Sequence, residues 1–128
     1  MDERTRSGRW ITIGALLLAL GVTAGALGAH SLRPRFVEGG LAWWETAVLY
    51  HSIHGLGALG YGLFLRGREG RTWPGCCFLA GVICFSGSLY AMALGGPRWL
   101  GAVTPVGGVL WIVGWLAFAL QARGPRAR

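Results

Sequence analysis

The chain has 128 residues, enough for one domain, of which 53% are hydrophobic and only 13% charged, about half the charged share of an ordinary soluble domain. A mean hydropathy of +0.49 argues against a soluble globular class. The net charge of +7 does not point to nucleic acid either, because the basic residues gather into no single patch.

Charges are missing between Arg9 and His30, Glu45 and Arg66, Arg71 and Arg98, and Arg98 and Arg123. Each gap holds the roughly 20 apolar residues that cross about 30 Å of hydrocarbon. The expectation is therefore an all-α integral membrane four-helix bundle in one domain over 1–128, with spans at about 10–29, 43–65, 74–94 and 104–121.

Met1 to Arg9 is a polar lead with three arginines, and the first span follows from Trp10 to Ala29. A basic start, an apolar core and the small residues Ala24-Gly25-Ala26 also fit a signal peptide. Gly21 and Gly25 favour a retained helix, since they suit helix packing. The loop from His30 to Ala42 contains Arg33-Pro34-Arg35 and the Gly39-Gly40 break. The second span begins at Trp43-Trp44-Glu45 and ends in the turn Arg66 to Arg71. Thr72-Trp73-Pro74 starts the third, with proline in the first turn, where its missing N–H costs nothing. That span stops at Gly95-Gly96-Pro97, and Thr104-Pro105 repeats the start signal for the fourth. Cys76, Cys77 and Cys84 form no C-x-x-C pattern and read as packing residues.

All twelve cations are arginine. Nine lie in the lead, the second loop and the tail (Arg4, Arg6, Arg9, Arg66, Arg68, Arg71, Arg123, Arg126, Arg128), against three in the other loops (Arg33, Arg35, Arg98). The positive-inside rule then places both termini in the cytoplasm and makes this a multi-pass protein of the bacterial inner membrane. Trp10, Trp43, Trp44, Trp73 and Trp99 fall at the ends of the expected helices, where amphipathic rings prefer the interface.

With 23 glycines, helix contact should come from close backbone approach through small residues. Gly21-x-x-x-Gly25, Ala58-x-x-x-Gly62 and Gly87-x-x-x-Ala91 are candidate pairs, and Gly28, Gly107 and Gly114 are further packing candidates. A faint repeat at an offset of 67 aligns Gly14 with Gly81, Ala26-Leu27-Gly28 with Ala93-Leu94-Gly95, and Trp44 with Trp111.

Four stretches carry a resemblance: Gly25 to His30; Glu45 to His51 with His54; Phe85-Ser86-Gly87-Ser88-Leu89-Tyr90; and Leu100 to Gly108 with Gly114-Trp115. Together, over about residues 14 to 116, they are similar to the small bacterial inner-membrane family called domain of unknown function 423, whose eukaryotic relatives include transmembrane protein 256. The resemblance implies a four-helix integral membrane protein with no established activity.

Polar groups in so apolar a chain are costly and therefore informative. The candidate cluster is His30, Glu45, Tyr50, His51, His54, Ser86, Ser88, Tyr90 and Thr104. At about 100° per residue, Glu45 and His51 do not share a face, whereas His51 and His54 can co-operate and Tyr50 and His54 fall on one stripe. Three readings compete. In the first, Glu45, His30 and Tyr50 satisfy one another and the loop, pinning helices one and two, with Arg33 and Arg35 as further partners of Glu45. In the second, His30, His51, His54 and Glu45 hold a metal, haem or quinone. His51 lies about 12 Å below Trp43, which spreads the set too far in depth for one ion. In the third, Glu45 and the histidines form a proton-linked transport path, for which four helices suffice in a dimer.

No hydrolase or transferase arrangement is visible, since Ser86 and Ser88 lack an acid–base partner nearby in sequence. Trp111 and Trp115 read as a packing or lipid-facing stripe. The expected protein is not an enzyme and needs no cofactor. It is a structural or accessory component of a membrane complex, with the bilayer, a homo-oligomer or a larger assembly as partners and no nucleic acid. The alternative is a small ligand-binding or proton-coupled transport protein.

Overall fold

A computed structural model describes residues 3–124. Four long helices make up the chain: α1 (Glu3–Ala29), α2 (Gly40–Phe64), α3 (Trp73–Ala93) and α4 (Thr104–Ala122). A π-helical turn over Val82–Ser86 interrupts α3, and short 3-10 turns at Arg33–Arg35 and Arg98–Ala102 occupy two of the loops. α1 starts seven residues before the expected Trp10, at Glu3. The lead holds no proline and its arginines are good helix formers, so the helix continues through the polar residues.

The ends of the other helices follow from local chemistry. Pro74 and Pro105 sit in the first turns of α3 and α4. α3 closes on Gly95 at φ +91°: its N–H bonds to the Met92 carbonyl at 3.1 Å, and that of Gly96 bonds to the Ala91 carbonyl at 2.8 Å. This is a Schellman closure, which needs a left-handed residue where Gly95 stands.

α2 lies at the centre. Gly40, Trp44, Ala47, His51, His54, Ala58 and Tyr61 are all buried, as is Leu65 just past its end. They recur at alternating steps of four and three, the spacing of a helix wrapped at a shallow angle by its neighbours. α1 answers with Ser7, Gly14, Gly21 and Gly28, one small buried residue every seventh position. The Ser7 hydroxyl donates to the Gly62 carbonyl at 2.8 Å at one end of this antiparallel pair. At the other end the Trp44 Nε1–H donates to the Ala24 carbonyl at 2.8 Å. Between them, a Cβ on Gly14 would lie 2.6 Å from the Leu59 Cβ, so only glycine allows the approach.

α4 packs antiparallel on α3 by the same means. A Cβ on Gly107 would stand 2.5 Å from the Phe85 backbone nitrogen, and one on Gly114 would stand 3.0 Å from the Cys77 Cβ. α2 meets α4 through large side chains: Tyr50 and His54 reach Trp111, and Tyr61 reaches Phe118. Trp10, Leu17, Ala58, Tyr61, Leu65, Phe78, Val82 and Trp111 form the core.

Two tryptophans expected at the interface are interior. Trp10 is 4% and Trp44 7% exposed, because Trp10 lies over Gly75 and Trp44 over Gly28. A missing side chain on the facing helix leaves a socket for an indole, and that outweighs its interfacial preference. Trp73 and Trp99 are exposed, the latter at 67%.

The start of α1, the turn between α2 and α3 and the end of α4 meet at one end of the bundle. There the Arg71 N–H donates to Gln121 Oε1 at 3.1 Å, the Tyr61 hydroxyl donates to the Arg71 carbonyl, and Arg68 Nη1 donates to the Gly124 carbonyl at 3.3 Å. Arg126 and Arg128 lie outside the described residues. α1, α3 and the segment Arg98–Ala122 are long and apolar enough to cross a membrane. α2 is as long, but Glu45, His51, Ser52, His54 and its glycines make it less apolar.

Candidate functional site

The expected polar residues divide into an inner layer, with Tyr50 at its exposed edge, and an outer pair. In the layer, the His54 imidazole stacks on the Trp111 indole with centroids 3.6 Å apart and planes 2° from parallel. The Tyr50 ring lies parallel to both, 6.3 Å from His54 and 5.7 Å from Trp111. His54 Nδ1 is 2.7 Å from the Tyr50 carbonyl. A carbonyl can only accept, so Nδ1 carries the proton. Trp111 is held in turn by its Nε1–H, which donates to the Phe78 carbonyl at 3.1 Å, and its indole occupies the space over Gly81, where a Cβ would collide with it.

His51 takes another direction. Its Nδ1 and the Tyr90 hydroxyl are hydrogen-bonded at 3.0 Å, and Tyr90 rests against Trp44 with ring centroids 4.6 Å apart. Gly21 of α1 faces the Ser52 hydroxyl, 2.9 Å from where a Cβ would stand, with the His51 ring at 3.8 Å. His51 Nε2 is buried and has no hydrogen-bond partner among the described residues. The two histidines, three apart on α2, thus serve different neighbours and do not co-operate.

The hydroxyls are spent on joining or bracing helices. Ser86, fully buried in the π turn, donates to the Ala47 carbonyl of α2 at 2.9 Å. The turn shifts the face that α3 presents, so that Ser86 and then Ser88 both point inward. Ser88 donates to the Phe85 carbonyl at 2.8 Å, and its oxygen lies 2.6 Å from the Thr104 hydroxyl at the start of α4.

Glu45 and His30 stand apart from this layer. Both are exposed, and among the described residues neither side chain has a hydrogen bond or ion pair. Pinning by Glu45, His30 and Tyr50 is not formed. Trp44 takes the buried face of α2, which turns Glu45 outward to a groove of about 380 Å³ shared with Gly25, Gly28, Val48 and Ser52. Tyr50, five positions on, faces Trp111 instead. Nor do His30, His51, His54 and Glu45 converge: among the described residues no three His, Cys, Asp or Glu side chains could hold a metal ion. Cys76, Cys77 and Cys84 are free thiols.

Of the six packing glycines, Gly21, Gly28, Gly107 and Gly114 face a neighbouring helix within tight contact. Gly25 does not: a Cβ there would meet only Val48 Cγ1, at an ordinary 3.5 Å. Gly87 is exposed and opposes nothing closer than its own helix, because the π turn rotates it away. Three joints escaped the reading of the sequence: Trp44 to Ala24, Tyr61 to Gln121, and His54 to Trp111. The weak repeat pairing Trp44 with Trp111 was the one hint. Both indoles donate to a carbonyl of the preceding helix and both cover a glycine. Their acceptors, Ala24 and Phe78, are 54 residues apart rather than 67, so the two pairs differ in register.

This layer lies largely within the part of the chain that comparisons single out. Residues 24–108 match the family described as "Protein of unknown function (DUF423)". The chain belongs to this family. Among DUF423 relatives, a UPF0382 membrane protein of Staphylococcus epidermidis is 42% identical over 116 residues, covering 87% of this chain and 92% of its own. One from Staphylococcus haemolyticus is 43% identical over 117 residues, covering 88% and 93%. One from Bacillus subtilis is 37% identical over 116 residues, covering 88% and 94%. No solved structure matches the chain. The DUF423 match takes in both histidines, Ser86, Ser88, Tyr90 and Thr104, and stops short of Trp111. It identifies a membrane protein and indicates no activity.

Proposed function

We propose that this protein is a four-span component of the bacterial inner membrane with both termini in the cytoplasm, and that it acts without catalysis as a structural or accessory part of a membrane assembly, as a homo-oligomer or within a larger complex. What carries the reading is the use made of the interior polar groups. Ser7, Trp44, His51, Ser86 and Trp111 each bond across to another helix, and among the described residues no three His, Cys, Asp or Glu side chains converge as a catalytic or metal set would. In lipid such bonds join helices that lack a hydrophobic drive to associate.

Packing supports counting α2 as the fourth span. α1 is long and apolar enough to cross, and α2 lies antiparallel along it from Ser7–Gly62 to Ala24–Trp44, so the two share the same depth. The orientation rests on the nine arginines grouped against three. Leu16, Leu20 and Val22 on α1 and Ile112, Leu116 and Leu120 on α4 are exposed, as suits a surface in lipid or against another subunit.

Purification in mild detergent tests the proposal. A stable assembly that co-purifies without haem, metal or quinone supports it; a stoichiometric bound cofactor overturns it. One observation favours the alternative of a small binding or transport protein, namely the unpaired, buried Nε2 of His51. His51→Phe that folds normally and abolishes a proton-linked flux in vesicles would decide for that alternative.

A further inference from the structure

Two cavities at the arginine-rich end share a wall. One, of about 530 Å³, is lined by Arg6, Gly70, Arg71, Thr72 and Trp73. The other, of about 480 Å³, is bounded by Arg71 and Trp73 and continues along α4 past Gln121, Leu120, Leu116 and Val113. The first is polar at its arginines; the second is apolar except at its mouth. From Gln121 to Val113 the groove runs about 12 Å along the helix, from the level of the arginines into the apolar part of the bundle.

The charged mouth is held in place. The Arg71 backbone is fixed on both sides, its carbonyl accepting from Tyr61 and its N–H donating to Gln121 Oε1 at 3.1 Å. The Arg71 guanidinium remains available: among the described residues neither it nor that of Arg6 forms an ion pair. Gln121 Oε1 also lies 3.2 Å from the Tyr61 hydroxyl. The Arg71 N–H needs an acceptor, which sets the orientation of the amide with Oε1 toward it and leaves its NH2 as a donor in the wall of the groove. Trp73, half exposed between the two cavities, has the amphipathic character of a residue at the headgroup level.

We propose that these joined cavities bind an anionic phospholipid, with its phosphodiester between Arg6 and Arg71 and one acyl chain laid along Leu120, Leu116 and Val113. Two unpaired guanidiniums select negative charge, and basic recesses between transmembrane helices suit acidic head groups. The apolar groove beneath selects a lipid over a soluble phosphate. The inference rests on the membrane placement proposed above and is independent of which side the termini occupy.

The test uses the full chain, delipidated in mild detergent and titrated with phosphatidylglycerol, with phosphatidylcholine of the same acyl chains, and with glycerol 3-phosphate. Native mass spectrometry reads lipid retention and the melting temperature reads stabilisation. Phosphatidylglycerol should be retained in preference to phosphatidylcholine, and Arg6→Gln with Arg71→Gln should weaken retention by about fivefold per charge removed. Leu116→Trp fills the groove without altering charge and should also weaken it. Arg4→Gln with Arg66→Gln, in the adjoining recess lined by Ser7 and Gly8, should leave it unchanged. Equal retention of both lipids overturns the site, as does an equal loss from either arginine pair. Stabilisation by glycerol 3-phosphate to the same extent overturns the acyl-chain part. Arg6→Gln and Arg71→Gln alter accessible side chains, so circular dichroism should show parental helicity, and they test the site even if Leu116→Trp fails to fold. Failure of the membrane placement would appear separately, as labelling of cysteines placed along α2 by membrane-impermeant reagents.

Discussion

The His54 imidazole lies flat on the Trp111 indole, 3.6 Å between centroids, and this stack is a principal joint between α2 and α4. One ring is fixed by its own helix through the Tyr50 carbonyl and the other by α3 through the Phe78 carbonyl. Trp111→Phe keeps an aromatic face but loses the N–H, and should cost about 1 kcal/mol. Trp111→Ala removes the ring and should cost about 3–5 kcal/mol. Unfolding in mixed micelles measures both; equal losses would mean that the stack contributes little.

Glycines that accept an indole should be intolerant. Gly28→Ala and Gly81→Ala each push a Cβ into a tryptophan and should destabilise by about 1–3 kcal/mol. Gly25→Ala, with only Val48 Cγ1 at 3.5 Å, should stay within about 0.5 kcal/mol of the parent. Melting of the three variants side by side checks the ranking.

Ser86 should matter in proportion to its single bond to Ala47. Ser86→Ala should cost about 0.6 kcal/mol, the mean for hydrogen bonds between membrane helices, and Ser86→Val more, because the site is fully buried. A neutral valine would show that the π turn relaxes to make room.

Glu45 should be nearly silent in stability. It is exposed at the groove without a partner among the described residues, so Glu45→Gln and Glu45→Leu should both melt within about 0.5 kcal/mol of the parent. A loss of several degrees in either would expose a partner outside the described residues. If instead Glu45→Gln folds normally but removes a proton-coupled flux in vesicles, the transport alternative gains its main support.

Reporter fusions test the orientation. A fusion at the C-terminus should signal from the cytoplasm, and one in the loop near Arg33 and Arg35 from the periplasm. Reversal of the two would mean that the arginine count does not govern insertion here.

Helix content, and the ends of α3 and α4, were legible in the sequence for a local reason, whereas the early starts of α1 and α2 were not. Uninterrupted apolar stretches, prolines at Pro74 and Pro105 and the break at Gly95 act within one turn of the backbone they control. The seven-residue spacing of Ser7, Gly14, Gly21 and Gly28 was equally present in the letters, although Gly21 and Gly25 drew attention instead. Which face of α2 carries His51 and His54 also follows from position alone.

What those faces meet was decided only by tertiary structure. Trp10 and Trp44 look like interfacial residues until Gly75 and Gly28 are placed opposite them. Gly87 belongs to a small-x-x-x-small pair in sequence, yet the π turn at Val82–Ser86 rotates it outward. His54 finds Trp111, 57 positions away, while Glu45 and His30 find no partner among the described residues. Hydropathy and periodicity report the environment along one helix. A contact between helices depends on their register and on where a missing side chain lets two backbones close to a few ångströms, and that is a property of the packed bundle.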